Sequence, residues 1–209
     1  VPLKTILFDF DGTLVDTFAA ALAIANRIAP EFGYRPVRAD EIDTLRGWPY
    51  RKIVDHLGVA WHKLPGIASR IRNELAEDLE RLEIVEGLPQ VLSELRARGL
   101  ELGILTSNTR ENVQRFLSAR SIEDFASIDT SSSLWGKHRR LKWLLKRHRR
   151  SIDEVAYVGD EVRDIQATQE LGMRMVAVTW GYSSKALLAS HAPTHLIEHP
   201  RELLDVLSR

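Results

Sequence analysis

Asp9 and Asp11 stand one residue apart at the end of an apolar run, Ile6, Leu7 and Phe8, and are followed by Gly12 and Thr13. In a strand-like backbone, residues two apart point the same way, so both carboxylates can face one small volume while Phe10 turns back into the core. Like charges that close are costly without a cation. A hard divalent ion such as Mg²⁺ suits an all-oxygen site, and Gly12 permits the sharp turn that lifts the chain off the sheet. Two later segments repeat the arrangement. The apolar run in LELGILTSN ends at Thr106, Ser107 and Asn108, and the helical pattern behind it directs N-terminal amides and a positive dipole end to the same mouth, a seat for phosphate. In VGDEVRD, Gly159 allows close approach, Asp160 can complete a metal site with Asp9, and Asp164 is placed to orient a water or a lysine behind the ligands. Glu161 reads either as a further ligand or as a solvated side chain, and solvation is the favoured reading. Three carboxylates and a phosphate need cation beyond Mg²⁺, and Lys137, at the start of the preceding crossover, can reach them.

The elements that must position these groups follow from pattern. Residues 16 to about 32 predict a helix with Asp16 as N-cap and Pro30 and Gly33 near its stop. From there to about residue 83 no strand is predicted. ADEIDTLRG, PYRKIVDHLG and LPGIASRIRNELAEDLERL give three further helical patterns, broken at Gly47, Gly58 and Pro65 with Gly66. After Gly87 the pattern alternates: a helix closed by Gly99, the strand ending at Thr106, a helix over 109–120, a short strand in ASIDTSS, a basic helix from Lys137 to His148, the strand and helix of VAYVGDEVRDIQATQELG, strands in MRMVAVTW and THLIE, and a closing helix in PRELLDVLSR. Strands alternating with helical crossovers predict an α/β fold, a doubly wound, Rossmann-like parallel sheet that binds ligands at the strands' carboxyl ends. The three polar strand ends should therefore meet.

Composition narrows the function classes. The 209 residues allow one sizeable core, or a core with a smaller insertion. Lys plus Arg and Asp plus Glu both number 29, so no global attraction to nucleic acid or anionic membrane is implied. The absence of cysteine removes disulfides, zinc-thiolate sites and thiol nucleophiles, and fits a reducing cytoplasm. The longest apolar run, FAAALAIA, is far short of a membrane span, so a cytoplasmic protein with no membrane partner is expected. Residues 137 to 150 carry eight Lys or Arg and no acid, but Leu141, Leu144 and Leu145 give that helix an ordinary buried stripe, and its basic side reads as a solvated face rather than a nucleic-acid patch.

The motifs DFDGT at 9–13, Thr106, Lys137 and GDEVRD at 159–164 occur in the order found in the haloacid dehalogenase superfamily, which the chain resembles over nearly its whole length. The resemblance implies a HAD-like core over 1–15 and 83–209 with an α-helical cap over 16–82, and TWGYSS at 179–184 with APTHLIEHPRELL further resembles the phosphoglycolate phosphatase branch. It assigns Asp9 as the nucleophile that forms an aspartyl-phosphate and Asp11 as general acid and base, with Thr106 and Lys137 holding the phosphoryl group. Mg²⁺ would be bound by Asp9, the Asp11 carbonyl and Asp160, with Gly12, Ser107 and Asn108 beside the phosphate. A small phosphorylated metabolite is the expected substrate. The branch implies a carboxylate on it, which a core crowded with aspartates cannot neutralise, so Arg46 and Arg51 of the RGWPYRK segment are expected to grip it. Asp11 disfavours a haloacid dehalogenase or a phosphonate hydrolase. A phosphomutase keeps the aspartate pair but places arginine differently after the cap glycine, and a non-catalytic binding protein would be expected to have lost a motif residue.

Overall fold

Strand β1 (Thr5–Phe8) alternates its side chains between two faces: Ile6 and Phe8 enter one apolar cluster and Leu7 enters another, all buried. That alternation sets the layers of the computed structural model, which describes residues 1–122, 125–130 and 136–207. The strands are β1, β2 (Glu101–Thr106), β3 (Ser127–Thr130), β4 (Val155–Gly159), β5 (Arg174–Val178) and β6 (His195–Ile197). They form one parallel sheet in the order β3-β2-β1-β4-β5-β6, with Phe8 in register with Ile104 and Val158. The ends of β1, β2 and β4 are thus neighbours, and the order reverses at β1, where a doubly wound sheet opens a crevice for ligand.

The strands are covered on both sides. Leu88, Val91, Leu92 and Leu95 of α5 (Leu88–Ala97), Val113, Phe116 and Leu117 of α6 (Arg110–Ala119), and Leu203 and Leu204 of α10 (Leu203–Val206) pack with Ile6, Phe8, Ile104 and Val158. On the other face Leu141 and Leu144 of α7 (Lys137–Arg147), Ile165 of α8 (Val162–Gln169) and Leu188 of α9 (Lys185–Ser190) pack with Leu7, Leu105, Tyr157 and Met175. Burial on both faces explains why these strands read as nearly continuous apolar runs.

Between β1 and α5 the chain is helical: α1 (Phe18–Phe32), α2 (Ile42–Arg46), α3 (Tyr50–His56) and α4 (Leu64–Glu77), with short 3₁₀ turns. α1 lies against α4, where Gly66 stands beside the Phe32 ring and Glu74 pairs with Arg27 and Arg70. Chain entry and exit run side by side: Asp16 N–H donates to the Glu83 carbonyl and Val85 N–H to the Leu14 carbonyl, at 3.0 Å each. That pairing corrects the expected helix start. Asp16 is exposed and its backbone is held by Glu83, so α1 begins at Phe18 after Thr17, with no side-chain cap. Pro65 and Gly66 do not break a helix; they lie in the first turn of α4, where a proline's missing N–H costs nothing. The expected closing helix is shorter, a 3₁₀ turn at Pro200–Glu202 followed by α10, and its last two residues, like Ser131 and Ser132 of ASIDTSS, lie outside the described residues. Among the described residues no helix is long and apolar enough to cross a membrane.

Candidate active site

Asp9 follows β1 directly, 4% exposed, while Phe10 is fully buried with its ring edge-on to Phe116. Asp9 Oδ1 accepts the Phe10 N–H at 2.8 Å, and Oδ2 accepts from Lys137 Nζ at 2.7 Å. Lys137, the first residue of α7, also donates to Asp164 Oδ1 at 2.5 Å and to the Tyr157 hydroxyl at 2.8 Å, so its three N–H donors meet three acceptors. Burial opposes the charge on Lys137, but Asp164 and Asp9 outweigh it and hold its pKa well above the usual value. Tyr157 in turn donates to the Leu105 carbonyl, tying the group to β2.

Asp160 follows β4 and is fully buried. Thr13 Oγ1 donates to its Oδ1 at 2.8 Å, and the Tyr182 N–H to its Oδ2 at 2.7 Å. The strap after β5, residues 180–184, is therefore laid across the carboxylate, and Trp180 Nε1 donates to the Thr13 carbonyl at 3.1 Å. Gly12, at φ 76°, has to lack a side chain: a Cβ there would lie 2.5 Å from Asp160 Oδ2 and from the Tyr182 ring. Carboxylate oxygens of Asp9, Asp160 and Asp164 all lie within 4.8 Å of one another. Burial first, then Glu161 and Asp9, raise the Asp160 pKa well above the carboxylate range, and burial raises Asp164 to about 6 against the pull of Lys137. Three buried acids with one lysine among them are short of positive charge, and an all-oxygen donor set of this kind fits a hard divalent cation.

Asp11 is partly buried, and Asn108 Nδ2 reaches its two oxygens at 3.2 and 3.4 Å. Burial and the Asp9 charge push its pKa up to about 7, against the Asn108 hydrogen bond and the charge of Arg163. Thr106 is buried at the end of β2, and its Oγ1 accepts the Asn108 N–H at 3.0 Å, which leaves the hydroxyl hydrogen to donate. Thr109 caps α6 by accepting the Asn112 N–H, and Ser107 lies partly buried in the turn between strand and helix. Asp9, Asp11, Gly12, Thr106, Ser107, Asn108, Lys137, Asp160 and Asp164 are thus gathered where β1, β2 and β4 end.

The two expected arginines are engaged elsewhere. Arg46, the last residue of α2, donates from Nη2 to the Gly181 carbonyl at 2.6 Å and from Nε to the Tyr182 carbonyl at 3.3 Å, with its guanidinium 5.1 Å from the Phe18 ring centre. Arg51 is exposed and lies over the Trp61 ring. Glu161 is not simply solvated, because it pairs with Arg163. Sequence reasoning passed over Thr13, Tyr157, Tyr182, Arg163 and Arg72, whose Nη1 donates to the Ser107 carbonyl at 3.0 Å. Tyr157 sits in an apolar strand and looked like core; only its hydroxyl could have signalled a polar partner.

A family model described as haloacid dehalogenase-like hydrolase matches residues 6–178. The chain is 36% identical over 208 residues to a phosphoglycolate phosphatase of Synechococcus elongatus, an alignment covering 99% of this chain and 98% of that protein. It is 27% identical to an N-acetylmuramic acid 6-phosphate phosphatase of Pseudomonas aeruginosa, over 99% of this chain and 96% of that one. Among solved structures, a predicted phosphatase from Clostridium acetobutylicum superposes with a TM-score of 0.83 at 18% identity, covering 99% of both chains.

Proposed function

The chain belongs to the haloacid dehalogenase-like hydrolases and is a phosphatase of that superfamily, and from this premise we propose that it hydrolyses a small, carboxylate-bearing phosphomonoester of the phosphoglycolate kind through an aspartyl-phosphate. The observation that carries the reading is the Asp9 carboxylate, fixed at the end of β1 between the Lys137 ammonium and the acids Asp160 and Asp164. Asp9 attacks phosphorus while the bond to the leaving oxygen breaks, and Asp11 gives that oxygen its proton. Burial of the Asp11 carboxyl favours its protonated form, so it can donate to the leaving oxygen and then take a proton from the water that cleaves the acyl phosphate. The Thr106 hydroxyl and the amino end of α6 receive the phosphoryl oxygens, Lys137 offsets their charge and would trade one of its three present acceptors to bond one of them, and Asn108 orients Asp11. Asp9, Asp160 and the Asp11 carbonyl would hold Mg²⁺, which supplies charge neutralisation at the phosphoryl group. Residues 16–82 act as a cap over the core formed by 1–15 and 83–209; the paired entry and exit at 14–16 and 83–85 support that division.

The test is phosphate release from a panel of phosphorylated metabolites, with and without chelator, for the wild type and Asp9→Asn. The amide is nearly isosteric but cannot attack, so turnover should vanish while thermal unfolding stays close to wild type; retention of even about a tenth of the activity would refute the nucleophile assignment.

A further inference from the structure

We propose that Arg72 recognises the carboxylate of the substrate's leaving group, an assignment that rests on the phosphatase reading above and goes beyond it. Arg72 lies in α4, and its Nη1 donates at 3.0 Å to the carbonyl of Ser107, in the turn that joins Thr106 to α6. The path of the chain brings it there. The 3₁₀ turn Leu79–Arg81 that follows α4 lies against α6, Leu79 is buried in one cluster with Phe116, and Arg120, just past the far end of α6, donates to the Leu82 carbonyl. Arg72, about two helical turns before Leu79, is thereby carried back to the amino end of α6. The Ser107 contact uses one of five guanidinium N–H donors. Among the described residues Arg72 meets no other acceptor and no carboxylate, and, unlike the Nε of Arg140, Arg150 and Arg163, none of its unpartnered nitrogens is sealed from solvent. A ligand can therefore reach them.

Position and unpaired charge together decide what Arg72 can hold. Ser107 precedes Asn108, whose Nδ2 lies 3.2 Å from an Asp11 oxygen, so the guanidinium stands at the rim of the site beside the pair that meets the leaving oxygen. Phosphorus has to sit at Asp9. The sheet behind Asp9 is packed on both faces, so the rest of a small ester has to extend outward, toward the helical segment. A carboxylate one or two carbons from the ester oxygen then meets a cation that no acid neutralises, with open donors in the planar fork that carboxylates prefer. The other arginines of the segment are less suited. Arg27, Arg35, Arg38, Arg70 and Arg81 each pair with an Asp or Glu of the segment itself. Arg46 is bonded to strap carbonyls, and Arg51 is stacked on Trp61.

The experiment compares wild type, Arg72→Gln and Arg72→Lys on phosphoglycolate and on 2-hydroxyethyl phosphate, an ester of the same length that ends in a hydroxyl, with thermal unfolding of each variant. For Arg72→Gln, kcat/KM should fall at least about tenfold more on phosphoglycolate than on the hydroxyl ester; for Arg72→Lys, which keeps the charge without the fork, at least about threefold more. Glutamine suits a helix about as well as arginine, so α4 should persist; should Arg72→Gln fail to fold, the lysine variant carries the same comparison. Equal losses on both substrates would overturn the assignment and leave Arg72 as a brace on the Ser107 turn; no loss on either would overturn it too. Failure of the parent reading would look different. Wild-type protein that does not prefer phosphoglycolate, or that releases phosphate from neither ester, would remove that reading and this assignment with it.

Discussion

Gly181 and Asp160 are packed so closely that a Cβ built on the glycine would lie 2.1 Å from the Asp160 Oδ2. The same oxygen accepts the Tyr182 N–H at 2.7 Å, and Arg46 grips the Gly181 and Tyr182 carbonyls from the helical segment. One short strap therefore links the position of Asp160 to that of α2.

Gly181→Ala should displace either the strap or the carboxylate. Overpacking of this kind costs about 1–3 kcal/mol, and loss of the Tyr182 hydrogen bond should weaken Mg²⁺ binding by about tenfold. Calorimetric titration of Mg²⁺ into the variant checks it. An affinity equal to wild type would mean that the strap does not set the Asp160 geometry.

The raised pKa values of Asp11, about 7, and Asp164, about 6, fix the sign of a pH effect on the metal-free protein. Between the unfolded carboxylate pKa near 4 and those folded values the native state binds more protons, so stability is highest at the acid end of that window and falls as pH rises through 6 to 7. Mg²⁺ should oppose the fall, since it binds the deprotonated acids. At about 100 times its Kd an ion adds about 2.7 kcal/mol, or roughly 5–11 °C in Tm for a chain of this size. Thermal unfolding at about pH 5 and about pH 7.5, with and without Mg²⁺, should show the larger shift at the higher pH. An equal shift at both would count against the carboxylate cluster as the binding site.

Arg46→Ala and Arg51→Ala should behave differently from each other. The first removes two hydrogen bonds to the strap, so kcat/KM should drop on carboxylate-bearing and aryl phosphates alike, by the order of one charged hydrogen bond, about 1.5–3 kcal/mol. The second removes only an exposed contact with Trp61 and should change either rate by less than about twofold. A loss confined to the carboxylate substrate in either variant would instead place that arginine on the carboxylate.

By itself the sequence determined the strand-helix alternation, the parallel sheet and the three polar strand ends, because apolar runs buried on both faces and abruptly stopped by Asp9, Thr106 and Asp160 are local patterns. It also singled out Lys137, which had only to be the lysine opening the right crossover. The tertiary structure decided what these groups touch. Tyr157 is indistinguishable from core until its hydroxyl is seen on Lys137, Thr13 reads as part of a turn until it meets Asp160, and Glu161 reads as solvated until it pairs with Arg163. The start of α1 moved from Asp16 to Phe18 because a backbone pairing with Glu83, 67 residues away in sequence, competes with capping. The arginines were hardest for the same reason: a guanidinium on a long side chain finds its partner through the packing of the whole chain, and neither the spacing of Arg46 and Arg51 nor the place of Arg163 in its motif says which carbonyl, ring or carboxylate will be within reach.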